Sequence, residues 1–114
     1  MADTIKIQDY LGGYVQAVIN QTTRGLRDLD QEELHFRPGE NCNSIAFDAW
    51  HIARTADNLI HFAFEREKPV WLAQGLDEKW GLPKVDQGTG MTPADAYALR
   101  FPEPSALIDY CNDV

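Results

Sequence analysis

The stretch NSIAFDAWHIARTADNLI, residues 43–60, decides the fold of this 114-residue chain. Asn43 and Ser44 carry side-chain oxygens that can accept hydrogen bonds from the free amides of a helix N-terminus. No proline or glycine follows until Pro69. Since proline cannot continue a helix, the stretch predicts a long helix from about residue 45 to residue 65.

The predicted helix has two unlike faces, because successive side chains turn by about 100°. One arc is centred on His51 and carries polar and aromatic side chains, namely Asp48, Arg54, Thr55, Asn58, Phe47 and Phe62. The opposite arc carries mostly small apolar residues, which allow a neighbouring helix to pack closely. We expect the small-residue arc to face the core. The polar arc is either a solvated surface or, as its two phenylalanines suggest, the lining of a cavity.

An earlier amphipathic helix is predicted over roughly residues 4–29, where apolar residues recur at a spacing of three and four. The pair Gly12-Gly13 lowers its helix propensity, so either the helix bends there or another backbone approaches closely. Asp30 and Glu33 form a predicted capping box for the short connector that follows.

The second half of the chain is more irregular. Residues 67–90 contain repeated glycines and prolines between large apolar side chains, which predicts a long packed loop. Thr92-Pro93 is typical of a helix start, and a last helix is predicted from near Ser105. We expect an all-α protein with a single domain over residues 1–114 and no internal repeat.

Composition excludes several classes of function. The formal charge is −8, from 18 acidic and 10 basic side chains, which disfavours nucleic acid and anionic lipid as partners. No apolar run approaches the about 18 residues that span a bilayer, and the first residues show no targeting pattern. Cys42 and Cys111 form neither a CxxC pair nor a disulfide framework. These features predict a cytoplasmic protein with reduced thiols and no membrane contact.

The other titratable residues offer little support for a complete metal site. Zinc needs at least three protein ligands, and neither His35 nor His61 is placed by local spacing to join His51. Asp57 falls among apolar residues of the predicted helix, so we expect it to be paired, with Arg24 of the first helix as a candidate.

Several motifs, in this order and spacing, resemble the DinB-like superfamily: Glu33-Leu34-His35-Phe36-Arg37-Pro38-Gly39, Asn43-Ser44-Ile45-Ala46, Trp50-His51-Ile52-Ala53-Arg54 and Gly88-Thr89-Gly90-Met91-Thr92. The resemblance implies an up-down four-helix bundle that holds a divalent metal, commonly zinc or nickel, on three histidines. His51 matches the ligand on the second helix. The HxxxH pair of the last helix has no counterpart in this sequence. By the family pattern we therefore expect part of the third helix and all of the fourth to be missing, and the metal site to be incomplete in one chain.

Two classes of function remain open. The first is a divalent-metal-dependent hydrolase or thiol S-transferase whose ligands are completed by a longer product or a second copy. There Arg54 or Asn58 would orient an anionic substrate group, with Asp48, Thr55, Phe47 and Phe62 as further candidates around His51. The second is a non-catalytic helical interaction protein. Because the expected missing helices would leave apolar faces uncovered, we predict a homodimer in either case.

Overall fold

The computed structural model describes residues 7–85 and 88–114, and this part of the chain is helical without any strand. Seven α-helices and one π-helical segment follow one another within these described ranges. In chain order they are α1 (Ile7–Leu26), α2 (Gln31–Leu34), α3 (Ile45–Asp57), the π-helical segment (Asn58–Phe64), α4 (Val70–Ala73), α5 (Leu76–Trp80), α6 (Pro93–Ala98) and α7 (Pro104–Asp113). The all-α prediction is confirmed.

The predicted helix starts are present. In the capping box before α2, Glu33 N donates to Asp30 Oδ1 at 2.8 Å, and Asp30 N donates to Glu33 Oε1 at 3.2 Å. At the start of α3, Phe47 N donates to Ser44 Oγ at 3.1 Å. Each contact satisfies an amide that the helix itself leaves without an acceptor.

The second long helix changes geometry after Asp57, where the sequence had predicted one uninterrupted α-helix. The π-helical segment closes with Glu65 N donating to Ile60 O at 3.0 Å. This i to i+5 pattern takes more residues per turn than an α-helix. Side chains beyond Asn58 therefore leave the face on which a rotation of about 100° per residue would place them.

The stretch predicted as a long loop contains the short helices α4 and α5. Within α1, by contrast, Gly12 and Gly13 cause no visible crowding. Among the described residues, no atom outside the local helix backbone lies within 4 Å of the position a Cβ would take at either glycine. Within residues 7–85 and 88–114, no other backbone therefore approaches this pair closely.

The core is built around α3. Its small residues Ala46, Ala49 and Ala53 are buried, as predicted for that arc, whereas Ile45 and Ala63 of the same arc are exposed. Three fully buried aromatic rings join the elements: Trp50 lies 6.1 Å from Trp71 of α4, which lies 5.4 Å from Tyr110 of α7. Within residues 7–85 and 88–114, no helix combines the length and apolar character needed to cross a membrane.

Stability should fall at alkaline pH because of two buried acidic groups on α7. Burial raises the pKa of the Cys111 thiol to about 11. Burial, followed by the charge of Asp57, raises the pKa of Tyr110 well above its usual range. The unfolded chain releases these protons first, so the free energy of unfolding should fall by up to about 1.4 kcal/mol per pH unit and group above about pH 9.

Urea unfolding at several pH values between 7 and 11 measures this effect. The midpoint should be constant below pH 8 and fall above pH 9, and Cys111→Ala should remove the earlier part of the decline. A midpoint that stays constant up to pH 11 would contradict the assignment.

Candidate functional site

His51 lies in an open groove between the two long helices, which we call the α1–α3 groove. Its volume is about 390 Å³, and its lining residues are Tyr14, Val15, Val18, Ile19, His51, Ile52, Thr55, Ala56 and Leu59. Apart from His51, Thr55 and the Tyr14 hydroxyl, the lining is apolar. An imidazole in such a wall can accept or donate a proton at near-neutral pH.

The imidazole of His51 is half-buried and held against the core. It stacks on Phe47, with ring centroids 6.0 Å apart and planes 20° from parallel. Phe47 is itself only 3% exposed and packs at 5.7 Å from Trp50. The core aromatics therefore restrict the orientation of the imidazole before anything binds in the groove.

The predicted polar row around His51 does not form one site. Thr55 shares the α1–α3 groove with His51, whereas Arg54, Asn58 and Phe62 line a second cavity. Asp48 is exposed and lines neither space, and Phe47 belongs to the core. Two causes separate the row: Arg54 packs inward against α4, and the π-helical segment redirects Phe62.

The second space, which we call the Arg54 cavity, has a volume of about 800 Å³. Its described lining residues are Arg54, Asn58, Phe62, Ala63, Arg66, Glu67, Lys68, Pro69, Leu72, Lys84 and Val85. Arg54 is 2% exposed, and its guanidinium lies 5.2 Å from the centre of the Trp71 ring. Arg54 Nη1 donates to Asn58 Oδ1 at 3.0 Å, and Nη2 donates to Val85 O at 2.9 Å.

Asp57 is fully buried, and its partners differ from the predicted one. Oδ1 accepts a hydrogen bond from Val70 N at 2.8 Å, and Oδ2 accepts from Trp71 N at 2.8 Å and from the Tyr110 hydroxyl at 2.7 Å. The expected pairing with Arg24, which is exposed, is replaced by these bonds. The carboxylate thus caps α4 and ties it to α3 and α7, which fixes one wall of the Arg54 cavity.

Comparison with known proteins identifies the family. A family model described as the DinB superfamily matches residues 14–114. The chain belongs to the DinB superfamily. This confirms the resemblance that the motifs had indicated.

A solved structure has the same fold. The crystal structure of a conserved protein from Enterococcus faecalis is similar, with a TM-score of 0.81 and 24% sequence identity. The match covers 96% of this chain and 65% of that protein, so the chain spans less than two thirds of its length. At this identity the likeness shows the fold alone. No protein of curated function matches the chain.

The described residues do not by themselves fit the three-ligand metal that the DinB resemblance implies. In this part of the chain no three His, Cys, Asp or Glu side chains cluster closely enough to hold an ion. His35 Nδ1 lies 2.9 Å from Gln31 O, and its Nε2 accepts from Phe101 N at 3.0 Å. His61 Nε2 lies 3.3 Å from Val114 O. Both rings make these contacts away from the α1–α3 groove.

Proposed function

We propose that this DinB-superfamily chain contributes His51 to a divalent-metal site that ligands from outside the described residues complete. The observation that supports the proposal is the position of His51, half-buried in the wall of an open groove between two long helices. Its imidazole is held by Phe47, so one face of the ring is fixed by the core. A further helix, from additional chain or from a second copy, can approach the groove between α1 and α3.

Zinc and nickel are the metals we propose, because an imidazole ligand suits both. The reaction class we propose is that of a metal-dependent hydrolase or thiol S-transferase acting in the cytoplasm. Family membership supports this class. The described residues contain no group of three side chains that could hold the metal by themselves.

Metal content per chain tests the contribution of His51. The protein, His51→Ala and the matched control His61→Ala should each be loaded with zinc or nickel, freed of excess metal and measured by elemental analysis. We expect bound metal in the unmodified protein and in His61→Ala. Replacing the proposed ligand should lower metal affinity at least about 10-fold, because ligands are harder to replace than their outer partners. Equal metal content in His51→Ala and in the unmodified protein would contradict the proposal. A dimer of the unmodified protein that retains no metal after this treatment would also contradict it.

A second candidate function is a non-catalytic helical homodimer, and one specific observation favours it. Tyr10, Tyr14 and Val18 recur at a spacing of four on α1 and are 58%, 61% and 42% exposed. Leu59, across the α1–α3 groove, is 49% exposed. These residues form one apolar strip that is exposed to water, and exposed apolar patches of this kind often mark interfaces between proteins.

Sedimentation of the metal-free samples separates the two candidates. The interaction protein predicts a tight dimer that neither chelation nor His51→Ala weakens. It also predicts that Tyr14→Glu gives monomers, while Phe36→Glu, at a side chain 60% exposed outside the groove, leaves the dimer intact. Dissociation on chelation would instead support a metal shared between chains.

A further inference from the structure

We propose that the Arg54 cavity binds a small organic anion with an apolar body. The proposal is independent of metal binding at His51, because the Arg54 cavity and the α1–α3 groove share no lining residue. The cavity volume of about 800 Å³ lies within the range of pockets that hold small molecules.

The positive charge of the lining favours a negatively charged ligand. Four described lining residues are cationic, namely Arg54, Arg66, Lys68 and Lys84, and Glu67 is anionic, which leaves a local charge of +3. The whole chain carries −8. A cationic cavity on an acidic protein concentrates four of its ten basic side chains in one place. Such a site attracts an anion at short range and disfavours a cation.

The apolar part of the lining favours a ligand that also has an apolar portion. Phe62 is 65% exposed and Val85 is 79% exposed, although both are large hydrophobic side chains. With Ala63 and Leu72 they form apolar walls beside the cationic groups. Burial of these side chains by an apolar ligand removes their surface from water, which a compact inorganic ion would not do.

Arg54 gives the cavity a rigid cationic wall. Its bonds to Asn58 and Val85 and its position over Trp71 fix the guanidinium in one orientation. The Nε atom of Arg54 is buried and makes no hydrogen bond in the described structure. A planar cation held in this way loses little further side-chain conformational entropy when a ligand binds.

Arg66 adds a further cation to the cavity lining at the end of the π-helical segment. It has a φ of 57°, and it is the one residue other than glycine with positive φ within residues 7–85 and 88–114. This conformation disfavours a side chain, and glycine adopts it without strain. Arg66 directly follows Glu65, the last residue of the helix end, where a left-handed residue commonly terminates a helix. The termination places its cationic side chain at the cavity.

Calorimetric titration with octanoate tests the proposal, with 1-octanol as the uncharged ligand of equal chain length. We expect one octanoate per chain and at least about 10-fold weaker binding of 1-octanol. The double variant Lys68→Glu, Lys84→Glu should weaken octanoate binding about 10-fold or more. The control Arg27→Glu, Lys79→Glu makes the same change in net charge at exposed residues outside the cavity lining and should leave binding within about 2-fold.

Arg66→Gly separates a binding role from a structural one. We expect weaker octanoate binding together with an unchanged or higher thermal midpoint, because glycine relieves the strained backbone. The proposal is overturned if octanoate does not bind, if octanol binds equally well, or if both double variants lose affinity equally. It is also overturned if Leu59→Glu, in the α1–α3 groove, abolishes binding while the cavity variants retain it.

Discussion

Replacing Asp57 by alanine should lower the free energy of unfolding by about 3–5 kcal/mol, because it removes a buried charge that three donors share. The carboxylate is fully buried and accepts from two backbone amides at the start of α4 and from the Tyr110 hydroxyl. Alanine would leave these donors without an acceptor and without access to water. Since Asp57 connects α3, α4 and α7, the loss should affect the whole core.

Equilibrium unfolding in urea, followed by tryptophan fluorescence, measures this loss. Asp57→Asn keeps one acceptor oxygen and should fall between alanine and the unmodified protein. Tyr110→Phe removes one donor and should cost about 1 kcal/mol, so the network remains testable if Asp57→Ala does not fold. Asp48→Ala is the matched control on the exposed side of α3 and should change stability by less than about 0.5 kcal/mol. Equal effects at Asp57 and Asp48 would rule out the network.

Local rules predict the helix starts of this protein well. The side chains of Asp30, Ser44 and Thr92 each accept from a backbone amide three residues later, and the sequence alone indicated all three starts. These contacts depend on residues close in the chain, so spacing is sufficient to predict them. The π-helical segment was not predicted, because no proline or glycine marks the change from one helical geometry to another.

The candidate sites depend on long-range contacts, which explains why their prediction was incomplete. A helical wheel places Arg54 beside His51, yet Arg54 is drawn inward by the Trp71 ring and by Val85 O. Asp57 was expected to need a partner. Its carboxylate accepts hydrogen bonds from backbone amides of α4. The pattern of side chains along the sequence does not indicate where such amides will lie.

The structure also gives a physical reason for two of the motifs that resemble the DinB superfamily. Gly88 of the GTG motif lies directly against Phe47 and Trp50 of α3. Phe47 in turn stacks on His51. The glycine motif and the histidine motif are therefore parts of one packed unit, although they are separated by more than thirty residues along the sequence.

Gly88→Ala should consequently lower the free energy of unfolding by about 3 kcal/mol, from overpacking and from backbone strain together. A Cβ at this position would lie 2.7 Å from Phe47 Cζ and 3.2 Å from Trp50 Cζ3, both in buried rings of the core. The φ of Gly88 is also 98°, which disfavours any side chain. Because Phe47 must move, the metal binding that we propose at His51 should weaken as well.

Gly90→Ala is the matched control, since Gly90 has a φ of 80° and no atom of the described residues lies within 4 Å of its Cβ position. It should lower the free energy of unfolding by only about 1 kcal/mol, from backbone strain alone. Urea unfolding of both variants then isolates the steric contribution as the difference between them. Combining Gly88→Ala with Phe47→Leu should recover part of the stability if the ring is the obstacle, because leucine leaves room for the added methyl group. Equal costs at Gly88 and Gly90, with no recovery in the combined variant, would show that backbone conformation alone explains the glycine.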